Sequence, residues 1–381
     1  MRTVTKARMS RSLAILQVLP ALVSGGVERG TIEIAEALVG AGYRALVASA
    51  GGKMVAELGK LGAVHVELPL ATKNPIEILR NAGRLAALVR EEQVAILHAR
   101  SRAPAWSALL AARRTGAAFM TTYHGTYNEG FPGKRLYNSV MARGARVIAI
   151  SRFIADHVQA THGTPAGRIR LIPRGVDPRR FEPSSIAPAR IVALREAWGA
   201  GPKTPVVVLP GRLTRWKGGA VLVEALAALP GVIGVLAGGG NAAFGAELLA
   251  LSERLGVAER LRLLGQVEDM AAVMMAADVV LHASTEPEAF GRTVIEAQAM
   301  ARPVIAADLG GPRETVAEGV TGWRVAPGDP AALAALLARV LAMPEAARHA
   351  VGQAAREAVL RDNTTAAMQA RTLDVYRELL A

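Results

Sequence analysis

The 381-residue chain has no cysteine, which excludes disulfides, thiolate metal sites and a cysteine nucleophile. Aromatic residues make up only 4% and are not interleaved with the basic ones, so the chain has no base-stacking platform for single-stranded nucleic acid. Although 51% of the residues are hydrophobic, charge or glycine interrupts each apolar run well short of about 18 residues, and no transmembrane helix is expected. Neither the His-Glu-x-x-His of a zinc helix nor the Gly-Lys-Ser/Thr of a P-loop occurs. Acidic residues are scarce in one half only. Residues 1–185 hold 12 Asp+Glu against 26 Lys+Arg, whereas residues 186–381 hold 20 against 19. The basic surplus points to an anionic partner for the first half, and nucleic acid, anionic lipid headgroups and phosphorylated glycolipid all qualify.

What is present is alternation. Short β-rich runs at 45–49, 64–68, 94–98, 118–124, 146–151 and 169–173 are separated by helical stretches. A second series occupies 206–210, 232–238, 260–265, 279–282, 303–307 and 322–326. This pattern predicts two mainly parallel sheets covered on both faces. Pro173, Pro178, Pro183 and Pro188 fall where apolar periodicity lapses, so 173–188 reads as a linker. The predicted domains are 1–185 and 186–362, and the alanine-rich tail from about 329 reads as helical. At the N-terminus, Arg2, Lys6, Arg8 and Arg11 before LAILQVLPALV imitate a secretory signal. Cleavage there would remove the opening strand of a βαβ unit. The favoured reading is a buried strand at 13–19, a turn at Gly25-Gly26 and a helix from about Val27, with Ile32, Ala35, Leu38 and Val39 on one face.

The most informative stretch is 284–314, which reads strand end, loop, helix, strand. Glu288 falls in the loop, where open α/β sheets bind ligands, and Glu296 on the following helix, with Phe290, Gly291 and Arg292 between them. Two carboxylates suit two diols, and the intervening helix N-terminus suits phosphate, so a nucleotide sugar fits the pattern. Arg212 and Lys217, in Gly211-Arg-Leu-Thr-Arg-Trp-Lys-Gly218, offer a guanidinium and an ammonium to a diphosphate. Gly25 and Gly26 form a strand-to-helix turn open to close ligand approach. His124 ends a predicted strand, and so does His98, which with Arg100 and Arg102 is a possible acceptor-side group. Gly238-Gly-Gly-Asn-Ala-Ala243 formally satisfies G-x-G-x-x-A, but follows an inner strand of the second series rather than the first strand of the chain.

Glu288-Ala-Phe-Gly291, Glu296-Ala297, Pro303-Val-Ile-Ala306 and Gly310-Gly-Pro-Arg-Glu314 together resemble the signature of the retaining GT-B glycosyltransferases of family 4, also called group 1. The resemblance extends over nearly the whole chain and is strongest from about 206 to 326. It implies two facing Rossmann-like doubly wound domains, with the last helix, 363–381, crossing back to the first. By the family's pattern Arg212 and Lys217 bind the donor diphosphate, Glu296 the ribose and Glu288 the sugar. His124 then contacts the transferred sugar, beside the glycine loop at Gly25-Gly26. The absence of Asp-x-Asp argues against a metal-bridged donor, and no cofactor is implied beyond the nucleotide-diphosphate sugar. The pattern is closest to bacterial lipopolysaccharide-core and surface-polysaccharide enzymes. It implies a glycolipid or oligosaccharide acceptor, attachment to the anionic inner face of the cytoplasmic membrane, and no nucleic acid. Arg174 stands where the family's Ile-Pro-Asn-Gly-Val-Asp has asparagine. A GT-B-fold epimerase would share the donor elements without needing an acceptor.

Overall fold

The computed structural model describes residues 12–23, 25–127, 130 and 132–381. The basic residues of the signal-like stretch lie outside them. The chain divides into two compact units: 1–150 with 155–172 and 369–381, and 151–154 with 173–368.

In chain order the first part runs β1 (Ala14–Val18), α1 (Gly26–Gly40), β2 (Arg44–Ser49), α2 (Val55–Lys60), β3 (Val64–Glu67), α3 (Pro75–Glu91) and β4 (Val94–Ala99). It continues through α4 (Arg102–Thr115), β5 (Ala118–Tyr123), α5 (Lys134–Asn138), β6 (Arg146–Ala149), α6 (Arg152–His162) and β7 (Ile169–Leu171). These seven strands form one parallel sheet in the order β3-β2-β1-β4-β5-β6-β7. Its inner strands have no polar face. All of β1 is buried and only the edge strands β3 and β7 are open to solvent, as helices on both faces require.

The second part comprises α7 (Pro188–Ala197), β8 (Val206–Pro210), α8 (Gly219–Ala227), β9 (Ile233–Ala237), α9 (Ala242–Arg254), β10 (Leu261–Gly265) and α10 (Met270–Met275). Then follow β11 (Val279–His282), α11 (Arg292–Ala299), β12 (Val304–Ala307), β13 (Trp323–Val325), α12 (Pro330–Leu341), α13 (Glu345–Asp362) and α14 (Thr365–Leu380). Its sheet is also parallel, in the order β10-β9-β8-β11-β12-β13. Leu222, Leu226, Leu281, Ile305, Leu333 and Leu337 belong to one continuous core around it. No single helix among the described residues is long and apolar enough to cross a membrane.

The segment expected as a linker is not a free tether. Val176 N donates to Asn363 O and Thr365 N to Val176 O, each at 2.9 Å, and a Cβ at Gly175 would lie 2.4 Å from Thr364 O. Phe181 is buried and Arg356 Nη2 donates to Glu182 at 2.5 Å. Prolines break the helical period here without freeing the backbone from its neighbours. Arg174 lies within this packing and is itself buried.

Residues 369–381 complete the first unit. Tyr376 is fully buried and its Oη lies 2.7 Å from His98 Nδ1, while His98 Nε2 lies 2.7 Å from Thr122 Oγ1. Burial holds the His98 ring toward its neutral form and raises the Tyr376 phenol. Arg146 Nε at 2.8 Å and Arg170 Nε at 3.0 Å clasp the two oxygens of Glu378. Removing only the tyrosine hydroxyl leaves a buried ring nitrogen unmet, which costs about 1–3 kcal/mol. Tyr376→Phe is therefore expected to lower the unfolding free energy by that amount, read by urea unfolding as a lower midpoint at unchanged slope, without changing the secondary-structure content.

Candidate active site

In the second unit the strand order reverses between β8 and β11. From β8 the chain builds outward through β9 and β10, then returns to place β11 on the other side. The loops leaving two such strands diverge and open a crevice at the carboxyl ends. Residues 211–218 follow β8 and residues 283–291 follow β11, so topology alone brings the arginine–lysine loop and the first glutamate to one place.

Glycines let these loops approach closely. Gly218 has φ +80°, and a Cβ there would stand 2.0 Å from Ala283 O. Cβ atoms at Gly310 and Gly311 would stand 2.4 Å from Glu288 O and Ala289 O, and Gly311 N donates to Glu288 O at 2.7 Å. The formal dinucleotide fingerprint at 238–243 has the same explanation. A Cβ at Gly238 would lie 2.1 Å from Gly211 O, Leu213 N donates to Gly239 O at 2.9 Å, and Asn241 caps α9. Those glycines fasten the 211–218 loop to its neighbour.

The side chains converge on Glu288. Its Oε1 accepts from Lys217 Nζ, from Ser284 Oγ at 2.6 Å and from His282 Nε2 at 2.8 Å. The Lys217 and Glu288 side chains are 15% and 13% exposed, and the lysine also lies 4.5 Å from the Trp216 ring centre. Burial alone would push the carboxyl up. The hydrogen bond from His282 and the Lys217 ammonium outweigh it and hold Glu288 well below the usual carboxylate range.

His282 and Ser284 were not singled out from the sequence. Two-residue alternation along a strand sends both to one side and was the available signal. Arg212, by contrast, is exposed and forms no side-chain hydrogen bond or ion pair among the described residues, and Arg215 is occupied by Glu247 at 2.6 Å. Phe290 is buried, Gly291 (φ +80°) precedes α11, and Arg292 Nε lies 3.5 Å from Glu296 Oε1 on the next turn. Glu314, the last residue of the signature, accepts from the backbone N–H groups of Arg152 and Phe153, both at 2.8 Å, and caps α6.

The remaining candidates belong to the first unit, whose order reverses between β1 and β4. Gly25 (φ +136°) precedes α1, and a Cβ there would lie 2.7 Å from the Glu28 carboxylate, so the helix's own acid already sits at its N-terminus. His124 is half-buried just beyond β5. Nearby Tyr127 has its hydroxyl pushed up to about 12 by burial, and the Arg102 guanidinium stands 4.0 Å over its ring. His98 and Arg100, expected on an acceptor side, are both buried. Both nitrogens of His98 are used internally, and Arg100 has Glu33 and Tyr376 as its electrostatic neighbours. Arg102 donates to Asn138 at 2.8 Å.

Residues 24–180 match Glycosyltransferase Family 4, and residues 192–358 match Glycosyl transferases group 1. A glycosyltransferase structure from Rickettsia africae is 37% identical, superposes with a TM-score of 0.89, and is aligned over 97% of this chain and 99% of that one. The chain belongs to the group 1 glycosyltransferases. Anabaena HepE, solved in complex with UDP and glucose, is 26% identical to this glycosyltransferase, with a TM-score of 0.83 over 95% of this chain and 99% of its own. A D-inositol 3-phosphate glycosyltransferase from Xylanimonas cellulosilytica is 36% identical over 249 residues, covering 63% of this chain. The chain spans about half the length of the curated relatives it matches, 58% in that case and 42% in another. The expected GT-B class, with two parallel α/β sheets, is the one observed.

The glycine contacts generate a test. Gly218→Ala combines a left-handed backbone, which costs about 1–2 kcal/mol for an L-residue, with a clash against Ala283 O. Gly231→Ala has nearly the same φ, +79°, but open space around its Cβ. Thermal unfolding is expected to show a substantially larger loss for Gly218→Ala, and equal losses would remove the close approach as the reason for the glycine.

Proposed function

We propose that this glycosyltransferase moves a sugar, with retention of anomeric configuration and without a bridging metal, from a nucleoside-diphosphate sugar to a glycolipid or oligosaccharide acceptor of the cell envelope. Lipopolysaccharide is one such product. The observation that carries the donor half is the convergence of Lys217, His282 and Ser284 on Glu288 at the strand-order reversal, beside the N-terminus of α11. The similarity to HepE, solved with UDP and glucose, supports the same donor chemistry.

In this reading Lys217 and exposed Arg212 receive the diphosphate, Glu296 accepts the ribose hydroxyls, and Glu288 directs its second oxygen, Oε2, to the sugar. His124 meets the transferred sugar from the first unit. Breaking the bond to the anomeric carbon leaves negative charge on the diphosphate, so cations and helix N–H groups placed there supply the largest stabilisation.

For the acceptor half the support is charge and exposed apolar surface. Ile76 and Leu79 on α3 and Leu136 on α5 are 61%, 54% and 62% exposed. Both elements are tied to α4: Ser107 Oγ donates to Ile78 O at 2.9 Å and Trp106 Nε1 to Tyr137 O at 3.0 Å. Lys73, Arg80, Lys134 and Arg135 lie alongside in sequence. Exposed large aliphatics with basic residues close by in sequence suit an anionic bilayer surface, where a free basic group adds about 1 kcal/mol. A second reading, a water-soluble phosphorylated polyol as acceptor, is favoured by the relatives named for D-inositol 3-phosphate and draws on the same basic half.

Lys217→Ala or Arg212→Ala is expected to weaken nucleotide-sugar binding by about 1.5–3 kcal/mol, tenfold to over a hundredfold. Glu296→Ala is expected to weaken binding of the nucleoside diphosphate even without its sugar. Calorimetric titration across a panel of nucleoside diphosphates and their sugars reads all three, and unchanged affinity in every variant would remove the clamp. Co-sedimentation with anionic and neutral vesicles tests the acceptor side. Binding confined to anionic vesicles, reversed by salt and lost in an Ile76→Ser/Leu79→Ser variant, is the expected outcome. No binding at low salt, with turnover on inositol phosphate, would favour the second reading.

A further inference from the structure

All of the hydrogen bonds to the Glu288 side chain fall on one oxygen. Oε1 takes Lys217 Nζ, Ser284 Oγ and His282 Nε2, and among the described residues no hydrogen bond reaches Oε2. His282 is 5% exposed, and it and Ser284 reach the carboxylate from β11 and its immediate end, a fixed part of the sheet. Lys217 comes from the neighbouring loop on a long, unbranched side chain. The three donors therefore differ in kind: two sit on or just beyond a strand and one on a loop.

We propose that Glu288 is a latch on the clamp lysine, which donor binding releases, and that His282 is a positioning residue that lets the latch open. This rests on the reading of the donor as a nucleoside-diphosphate sugar. An arriving diphosphate competes with the carboxylate for Lys217 and, carrying more charge, wins it. Glu288 then stays behind, ionised and largely out of water, a state that is costly unless other donors meet the charge. His282 and Ser284 meet it. They also keep Oε1 in place, so that Oε2 alone is presented to a sugar hydroxyl. Without His282, Glu288 depends more heavily on Lys217, the ammonium is harder to take away, and the freed carboxylate is poorly aimed.

Glu288 is thus a competitor for the diphosphate as well as a group that serves the sugar. Glu288→Gln, which keeps the shape and removes the charge, is expected to bind nucleoside diphosphate about tenfold more tightly while losing turnover. His282→Leu is expected to weaken nucleoside diphosphate binding by about the same factor and to lower kcat, and His282→Gln, whose amide can still donate to Oε1, to restore part of both.

The deciding experiment is a double-mutant cycle on the full chain, with UDP, GDP and ADP titrated calorimetrically into the wild type, His282→Leu, Glu288→Gln and the double variant. If His282 acts through the carboxylate, its substitution costs affinity in the wild-type background and nothing in the Glu288→Gln background. An equal loss in both backgrounds would make His282 merely structural and overturn the positioning role. Unchanged or weaker binding in Glu288→Gln would overturn the latch while leaving the donor assignment intact. Failure of the wild type to bind any of the three nucleotides would overturn the donor reading, and the latch with it.

Discussion

A carboxylate taken nearly out of water must be met by donors, and that requirement organises the second unit. Around Glu288 it fixes a lysine from the loop after β8, a histidine at the end of β11 and a serine just beyond. Meeting it demands that two loops lie against each other at van der Waals distance, closer than any side chain would allow. Gly218, Gly310 and Gly311 are consequences of that demand. So is the turn at 238–240, which holds the lysine loop from its far side. The chemistry sets the backbone here, and the backbone sets the glycines.

The first unit uses buried polarity for a different end. His98, Arg100, Thr122 and Tyr376 lie inside it, and the hydrogen bonds of His98 run to a strand and to a helix 278 residues away. None of these groups gathers around an ionised carboxylate aimed outward. They tie the C-terminal helix to the sheet.

Much of the fold could be read in advance because parallel strands buried on both faces are continuous apolar runs, and each run expected as a strand is one. The glutamates and glycines of 284–314 could be picked out together because they sit at short spacings within one stretch, whereas Lys217 lies 71 residues before Glu288. What escaped was whatever depends on contacts distant in sequence. His98 looked like an acceptor-side group from its position at a strand end, and only Tyr376 reveals where its ring is engaged. His282 is the exception, since its partner is only six residues on and strand alternation, the one local signal, places it with Ser284 without indicating the glutamate. The proline-rich stretch from 173 looked like a tether, because the backbone of Thr364 that packs on Gly175 lies far along the chain. Glu314, quoted as part of a signature, turned out to cap a helix that begins at Arg152.

The return of residues 369–381 to the first unit bears on how the protein is made. During synthesis that unit's seven strands emerge early, yet Tyr376 and Glu378 follow only after the whole second unit has been translated. Until then His98 lacks its phenol, and Arg146 and Arg170 lack the carboxylate that clasps them. Domains fold largely in order of emergence, but here the earlier unit must wait as an incomplete core while the later one folds behind it. Residues 369–381 leave the ribosome after 173–368, so the first unit closes its core no earlier than the second has been translated.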